Sequence, residues 1–240
     1  MRAITHIHTR YSWDGNLAPS RLIDALVDID IDLAVVSDHD SFQGALDCRQ
    51  LIGERALALQ VPVAAEIRTD RGDVIVILEN AGGSLPPIHE LKEWHRLVPA
   101  VRDLEGLIWL AHPYRGHEFV EELAAAADVL EVFNARCSAE ENRNAALLGS
   151  RHDLIPGYGA DVHRRAEIGG CVVEYEDRGS VIETLRVAPN PLAARRTPQS
   201  SIMSAELTYA MKRRRPAKMA YSALRWAQYR KRESVERRQT

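Results

Sequence analysis

Short clusters of histidine and carboxylate residues recur along the first 163 residues of the chain, each at or just past the end of an apolar run. The clusters include H-I-H, S-D-H-D, A-E-I, A-H-P and A-D-V-H, and the ligand-type residues are His6, His8, Asp14, Asp38, His39, Glu66, His112, Asp161 and His163. In H-I-H and D-V-H these residues are two positions apart, which on an extended chain sends both side chains to one face. Imidazole and carboxylate together suit Zn, Mn or Fe. The pattern therefore predicts a multinuclear metal centre and hydrolysis by a metal-held hydroxide.

Apolar runs alternate with helix-like stretches along most of the chain. Strands are predicted at residues 3–8, 33–37, 61–66, 73–78, 106–111, 129–133, 155–160 and 170–175, and helices at 19–28, 42–59, 86–102, 118–127, 139–150 and 180–187. This alternation predicts a mostly parallel sheet covered by helices. Strand order alone does not distinguish an open sheet from a barrel. One metal cluster can gather ligands from at least five strand ends only if those ends converge, as at the C-terminal rim of a barrel.

The size and composition of the chain are those of a globular protein. Its 240 residues allow one large domain, or one domain with an appendage, and an apolar content of 45% is ordinary. No run approaches the roughly 18 apolar residues of a membrane span, and the first residues lack the apolar core of a signal peptide. Cys48, Cys137 and Cys171 are far apart and form no C-x-x-C pair, so we expect free thiols and a cytoplasmic location.

Charge is distributed unevenly along the chain. Residues 212–238 carry 11 Lys/Arg and 2 Asp/Glu, a net charge of +9, whereas the remaining residues carry a net charge of −12. Residues 188–201 contain three prolines and are predicted to be a linker between a domain at 1–187 and a basic, helical extension at 202–240. The extension could bind nucleic acid or an anionic membrane, pack on the acidic body, or be a disordered terminus.

Taken together, the clusters resemble the PHP (polymerase and histidinol phosphatase) family of metal-dependent phosphoesterases over roughly residues 3–175. The matching pieces are His6-Ile7-His8-Thr9 through Ser12-Trp13-Asp14-Gly15, Ser37-Asp38-His39-Asp40, Glu66, Ala111-His112-Pro113, Gly159-Ala160-Asp161-Val162-His163-Arg164 and the trailing Ile168-Gly169-Gly170-Cys171. Their order and spacing carry the resemblance, since H-x-H alone is a weak signal. The resemblance implies an α/β fold, a distorted (β/α)7 barrel, with the basic extension following it.

The resemblance also implies two or three divalent metal ions, which would be Mn, Fe or Zn. The implied ligands are His6, His8, Glu66 and Asp161 for the first ion, Glu66 and His112 for the second, and Asp14, His39 and His163 for the third. Glu66 would bridge the first two ions. Asp161 and His163 are the predicted catalytic residues, and the general acid is left open among His163, His117 and a metal-bound water.

The chain departs from the family pattern at two positions. Many members have a histidine soon after the glutamate as a further ligand to the second ion, but here the stretch is Arg71-Gly72-Asp73-Val74. Either Asp73 replaces that histidine or the second ion binds weakly. The family also often has aspartate two residues before the first histidine, where this chain has Ile4. We expect little effect from the second change, because that position usually orients a ligand.

Several polar residues near the clusters are candidates for binding substrate. They are Arg10, Arg115, Asn134 and Arg164. Arginine makes bidentate contacts with phosphate, and Asn134 follows the strand predicted at 129–133. Asp38 is expected to hold a ligand imidazole in the right tautomer. The histidines outside any motif, which are His89, His95 and His152, are expected to be structural or surface residues.

The favoured function is hydrolysis of a small phosphomonoester by a metal-dependent phosphoesterase. The alternative is a nuclease or phosphodiesterase that acts on nucleic acid ends and uses the basic extension to bind them. A third hypothesis is a non-enzymatic scaffold. The near-complete ligand set argues against it, because a scaffold has no need of metal ligands. The expected partners are a small phosphorylated substrate and, through the extension, nucleic acid. The sequence leaves the substrate, the identity of the metal and the oligomeric state open.

Overall fold

The computed structural model describes residues 1–79 and 85–236, and within these ranges nine strands form one mixed sheet. The strands are β1 (Arg2–Ile7), β2 (Leu33–Val36), β3 (Val63–Arg68), β4 (Asp73–Leu78), β5 (Leu107–Leu110), β6 (Val129–Asn134), β7 (Ile155–Val162), β8 (Cys171–Glu174) and β9 (Asn190–Ala194). The helices are α1 (Pro19–Val27), α2 (Gln43–Glu54), α3 (Trp94–Asp103), α4 (Val120–Ala126), α5 (Ala139–Arg151), α6 (Val181–Leu185), α7 (Gln199–Lys212) and α8 (Pro216–Glu236). Strands and helices alternate along most of the chain, as the sequence predicts.

The sheet is mixed rather than mostly parallel. Its order is β3-β4-β5-β6-β7-β1-β8-β9, and β2 also pairs with β1. The pairs β1–β2, β1–β7, β5–β6 and β6–β7 are parallel, whereas β3–β4, β4–β5, β1–β8 and β8–β9 are antiparallel. The prediction of a mostly parallel sheet is wrong at β3 and β4 because a short turn joins them, and such a turn can join only antiparallel neighbours.

The sheet curls so that the segment after β2, a strand that pairs with β1, approaches β3 at the far end of the strand order. The segment after β2 reaches β3 through a parallel bridge between His39 and Glu66. The backbone N–H of Asp40 donates to the carbonyl of Glu66 at 2.8 Å, and Leu33 and Gln60 form a second parallel bridge. These contacts bring the ends of β1, β2 and β3 to one side of the fold.

The core lies on both faces of the curled sheet. On one face, side chains from β1 to β6 and from β8 pack together around Trp109, which is fully buried. A Cβ atom at Gly157 would overlap this indole, so the close approach of β7 requires glycine there. The other face is covered by the helices, with Leu22, Leu26 and Leu97 among its buried residues.

Three segments differ from the secondary structure that the sequence predicts. The helix predicted at 42–59 ends early, because α2 stops at Glu54. The helix predicted at 86–102 is interrupted, because a 3-10 turn at Glu90–Lys92 precedes α3 and Glu93 between them is extended. Residues 190–194, inside the predicted linker, form β9 and pair with β8. Pro191 is tolerated because β9 lies at the edge of the sheet. The division into a domain, a linker and an extension stays a prediction, and residues 237–240 lie outside the described ranges.

Helices α7 and α8 follow β9, and α8 exposes much of its surface. Tyr221 and Leu224 are both 58% exposed there.

In the part of the chain that the structure describes, no helix combines the length and the apolar character needed to cross a bilayer. The prediction of free thiols is confirmed, since Cys48, Cys137 and Cys171 are buried and unpaired with each other. The cytoplasmic location stays a prediction.

Candidate metal centre

Three residues at strand ends have left-handed backbone conformations that aim their side chains at a common point. The φ angles are +62° at His6, +27° at His112 and +48° at Asp161. The pairing of β1 with β2 shifts register between Ile4 and Ile7, so that His6 lies in an irregular segment of its strand. Such conformations cost about 1–3 kcal/mol each in residues other than glycine, and they cluster at functional sites.

The first group of ligand-type atoms surrounds a position between β1, β3 and β7. Nε2 of His6 and Nε2 of His8 each lie 3.3 Å from Oε2 of Glu66. The same two nitrogens lie 3.9 and 3.6 Å from Oδ1 of Asp161. Ligands at about 2.1 Å from a tetrahedral ion are about 3.4 Å from one another. The four measured distances lie near that value, and His6, His8 and Asp161 form one candidate ligand group that Glu66 adjoins.

Further groups adjoin the first on either side. Oε1 of Glu66 lies 2.9 Å from Nε2 of His112, which together with His6 makes a second group. Asp14 joins a third group, with Oδ2 at 3.0 Å from Nε2 of His163 and Oδ1 at 3.6 Å from Nε2 of His39. His8 also belongs to the third group. The structure thus brings together all eight residues that the sequence predicts as ligands.

Hydrogen bonds fix the imidazoles of His6 and His8 so that their Nε2 atoms face the centre. Nδ1–H of His6 donates to Oε1 of Glu131 at 2.7 Å, since a carboxylate can only accept. Nδ1–H of His8 donates at 2.9 Å to Oγ of Ser12, which donates at 2.6 Å to Asp38. Through these two hydrogen bonds Asp38 has the role that the sequence predicts for it, which is to hold a ligand imidazole in the right tautomer. A partner on Nδ1 sets the tautomer and raises the basicity of the other nitrogen.

Several buried polar atoms in these groups have no hydrogen-bond partner among the described residues. They are Nε2 of His8, Oδ1 of Asp14 and Nδ1 of His112. An unsatisfied buried polar atom costs about 1–3 kcal/mol. A cation between the carboxylates would satisfy Nε2 of His8, which already points at them. The donor set therefore fits a divalent metal.

The charges in the centre favour the ionised carboxylates and the neutral form of His8. Burial raises the pKa of Glu66, but the imidazoles of His39 and His6 outweigh it and hold this pKa well below its usual value. Burial likewise raises the pKa of Asp161, and His6 and His163 more than reverse it. Burial lowers the pKa of His8, and the imidazoles of His163 and His39 lower it further. The carboxylates are thus ionised and His8 is neutral, as metal ligands must be. Burial lowers the pKa values of His6, His39 and His112, but the neighbouring carboxylates more than reverse it, so these imidazoles would release a proton when a cation binds.

Glu131 is the principal site residue that the sequence reasoning missed. It lies in β6, is 1% exposed and accepts from Nδ1 of His6. Its other oxygen accepts from the backbone N–H of His112 and from Nδ2 of Asn134, both at 2.9 Å. The signal was a lone carboxylate in the apolar run V-L-E-V-F, which an ordinary buried strand would not contain.

The predicted substrate-binding residues have different environments. Nη1 of Arg115 lies 3.0 Å from Oδ2 of Asp161, at the centre itself. Arg10 is exposed, with Nη2 4.0 Å from Asp47. Asn134 is fully buried and its amide supports Glu131.

Arg164 points away from the centre. Its guanidinium donates to the carbonyl of Ser204 and to Oγ1 of Thr208, both on α7. The geometry therefore places Arg115 at the centre and shows structural contacts for Asn134 and Arg164, and substrate binding by these residues stays a prediction.

Asp73 does not stand in for the histidine that the family pattern has near it. Oδ1 of Asp73 lies 3.0 Å from Nε of Arg68, and in the described ranges no ligand group includes it. The backbone N–H of Asp73 donates to Nε2 of His117 at 2.8 Å, and Nδ1 of His117 lies 3.1 Å from the carbonyl of Pro113. His117 also stacks on His112, with ring centroids 5.5 Å apart. Both nitrogens of His117 are engaged, so it is not a free ligand.

We expect Gly159→Ala to destabilise the centre through Glu131. A Cβ atom at position 159 would overlap the carboxylate of Glu131. Overpacking of this kind costs about 1–3 kcal/mol. The matched control is Gly53→Ala on α2, because a Cβ atom at position 53 would meet nothing within 4 Å. This substitution should stabilise the helix by about 0.5–1 kcal/mol. Urea denaturation of both variants checks this, and equal stabilities would contradict the close approach at Gly159.

No protein-family model matches the chain, and no curated protein sequence matches it significantly. Among solved structures, it is similar to a two-domain protein from Bacteroides vulgatus containing a predicted PHP-like metal-dependent phosphoesterase, with 14% identity and a TM-score of 0.62 over 81% of this chain and 65% of that one. PsfC from Pseudomonas syringae is 17% identical, with a TM-score of 0.60 over 88% of this chain and 97% of its own. A protein from Bifidobacterium adolescentis described as a metal-dependent phosphoesterase is 14% identical, with a TM-score of 0.51 over 68% of this chain and 88% of its own.

These similarities concern the fold, since the identities are low, and they agree with the family that the sequence motifs resemble. The chain has the mixed α/β fold of the PHP-like metal-dependent phosphoesterases.

Proposed function

We propose that the protein is a metal-dependent phosphoesterase that hydrolyses a small phosphomonoester. One observation carries the proposal most directly. Nε2 of His8, fully buried and without a hydrogen-bond partner in the described ranges, points at one oxygen each of Glu66 and Asp161. A chain that bound no cation would have little reason to keep two carboxylates and an unsatisfied imidazole nitrogen together in its interior.

We infer that two or three divalent ions, Mn, Fe or Zn, occupy the centre. The ligands would be His6, His8, Glu66 and Asp161 for the first ion, Glu66 and His112 for the second, and Asp14, His39 and His163 for the third. When bound, the ions supply a nucleophilic hydroxide near neutral pH and neutralise charge on the phosphoryl oxygens. The second ion is the one with fewest protein ligands, because neither Asp73 nor His117 reaches it.

The protein's own residues then orient the substrate and the ligands. Arg115, whose side chain is 40% exposed, contacts Asp161 through one nitrogen and offers its remaining donors to a phosphate. Asp161 thereby connects the substrate side of the centre with His6 and His8. His163 donates through Nδ1 to the carbonyl of Asp161 at 2.9 Å, so its Nε2 faces Asp14. Asp161 and His163 are the residues we propose to act in the reaction.

We also infer that strands β1 to β7 form a distorted (β/α)7 barrel. The parallel bridge between His39 and Glu66 supports this, since it lies between the end of β2 and β3. A closed arrangement would explain how ligands separated by up to 157 positions, from His6 to His163, converge at one rim.

A phosphodiesterase that acts on nucleic acid ends is the second candidate. The observation in its favour is that α8 exposes Tyr221, with the guanidinium of Arg225 5.7 Å from its ring centroid. Aromatic and basic side chains together suit single-stranded nucleic acid. Against it, Lys212 of the basic stretch donates to carbonyls of this same chain.

Hydrolysis of model esters tests both candidates. The purified protein is assayed with Mn2+ on p-nitrophenyl phosphate and on bis(p-nitrophenyl) phosphate. Turnover of the monoester supports the favoured function, and preferential turnover of the diester supports the second. Loss of nucleic acid binding on neutralising the basic side chains of α8, with a steep salt dependence, would also favour the second. Hydrolysis of neither ester, with Mn2+, Fe2+ or Zn2+, would contradict the proposal.

Removal of the metal should destabilise the fold as well as stop the reaction. A ligand present at 100 times its Kd stabilises the native state by about 2.7 kcal/mol. For a chain of this size that corresponds to a fall in Tm of about 5–10 °C on chelation. Thermal unfolding with EDTA, and again after Mn2+ is restored, measures the difference. A Tm that is the same with and without Mn2+ would show that the centre binds no ion.

A further inference from the structure

Helix α7 contacts the turn that follows the ligand His163. The carboxylate of Glu167 in this turn accepts from the backbone N–H of His163 at 2.6 Å. Its other oxygen accepts from Oγ of Ser201 on α7. Arg164 reaches the same helix through Thr208. The His163 turn (residues 163–170) is therefore fastened to a helix that the sequence assigns to the basic extension.

The same helix contacts the loop that carries Asp14. The Asp14 loop (residues 8–18) connects β1 to α1. The ammonium of Lys212, at the end of α7, donates to three backbone carbonyls of this loop at 2.9, 2.8 and 2.5 Å. The acceptors are Arg10, Ser12 and Gly15. An ammonium has three N–H donors, so these bonds use its whole donor capacity.

The loop is thus held from two sides. On the inner side, Asp38 accepts from the backbone N–H groups of Thr9 and Ser12, at 2.7 and 3.0 Å. On the outer side lies Lys212. Asp14 stands in sequence between two of the carbonyls that Lys212 holds, those of Ser12 and Gly15. A change in the position of either carbonyl would move the Asp14 carboxylate relative to His163.

We propose that Lys212 is a positioning residue of the metal centre, which fixes Asp14 for the ion held by Asp14, His39 and His163. This inference rests on the proposed function, because it assumes that the ion binds. It makes α7 a component of the site rather than an arm for another molecule. Glu66 on β3 and His112 just after β5 have no contact with α7 among those described for their side chains, so we expect the effect to be confined to one of the ions.

Titration of the full-length, metal-free protein with Mn2+ by calorimetry tests the proposal. Loss of a group that orients a ligand typically weakens metal binding by about 10–100-fold. In Lys212→Met we expect the class of sites that contains Asp14 to weaken by about tenfold, at the low end of that range. The other class should be unchanged. Lys212→Arg, which keeps a charge and N–H donors, should restore part of the loss.

The matched control is Lys218→Met on α8. Nζ of Lys218 lies 4.2 Å from the ring centroid of Tyr209, and no hydrogen bond or ion pair with the Asp14 loop is described for it. The Lys218→Met substitution removes one positive charge, as Lys212→Met does, so this variant should bind Mn2+ as the wild type does. If Lys212→Met does not fold, as judged by circular dichroism, Lys212→Gln takes its place, because its amide can still donate to two carbonyls.

A double-mutant cycle separates positioning from general destabilisation. In an Asp14→Asn background, Lys212→Met should change Mn2+ binding by less than about twofold, because the group through which it acts is gone. Identical isotherms for wild type and Lys212→Met, or an equal loss in every class of site, would overturn the role of Lys212. A wild-type protein that binds no Mn2+ would instead overturn the proposed function itself.

Discussion

Replacing Glu66 with glutamine should lower phosphoester hydrolysis by about 10³-fold, which corresponds to about 4 kcal/mol of lost transition-state stabilisation. The carboxylate of Glu66 lies at the junction of the ligand groups. Besides the contacts with His6 and His8, Oε2 lies 3.0 Å from Nδ1 of His39, and Oε1 lies 2.9 Å from Nε2 of His112. Glutamine keeps the volume but replaces one ligating oxygen with an amide NH2, which cannot bind a cation, and removes the negative charge.

The measurement is kcat/KM with p-nitrophenyl phosphate at saturating Mn2+, together with the number of bound ions by elemental analysis. Glu54→Gln at the end of α2 is the control, because Glu54 is exposed and pairs only with Gln50 among the contacts described for its side chain. It should retain activity within about twofold. If Glu66→Gln kept more than about a tenth of wild-type activity, Glu66 could not be the residue that joins the ions.

Replacing Glu131 with glutamine should weaken Mn2+ binding by about 10–100-fold and, at limiting Mn2+, lower hydrolysis to a similar extent. Glu131 does not face the proposed ions. It accepts the Nδ1 proton of His6, which leaves Nε2 of His6 free to ligate. A glutamine at this position could present its NH2 group to Nδ1 of His6, and two donors facing each other would turn the ring or shift its proton.

The effect of Glu131→Gln should appear as a changed Mn2+ affinity at nearly unchanged maximal occupancy, since no ligand is removed. Glu174→Gln on β8 is the control, because Glu174 also lies on a strand but is exposed. Activity that recovers fully in excess Mn2+ is the expected signature of a residue that orients a ligand. Unaltered affinity would show that His6 keeps its tautomer without the carboxylate.

Sequence reasoning identified the ligand candidates because their signal is local. His6 and His8 stand two positions apart at the end of an apolar run, and Asp161 and His163 repeat that spacing. Such residues in an extended segment share a face, which is why the spacing predicted a common site. In the structure His6 and Asp161 have left-handed φ angles instead, so the spacing identified the residues and not the backbone conformation that brings them together. The positions of most strands and helices followed from the same local periodicity.

Residues that support the ligands were harder to identify. Glu131 interrupts an apolar strand, and only its contact with His6, 125 positions away, reveals its purpose. Asn134 and Arg164 have the residue types of phosphate-binding groups, yet Asn134 contacts Glu131 and Arg164 contacts α7. The choice of partner among several within reach depends on packing, which no short stretch of sequence encodes.

The amino-acid sequence by itself determined which residues are candidate metal ligands and where most strands end. Both follow from side-chain chemistry and from the two-residue repeat of a strand. Only the tertiary structure decided the mixed order of the sheet, the partner of each imidazole and the contact of Lys212 with the Asp14 loop. These depend on distances between residues as far apart as Gly15 and Lys212, and such distances are set by the packing of the whole chain.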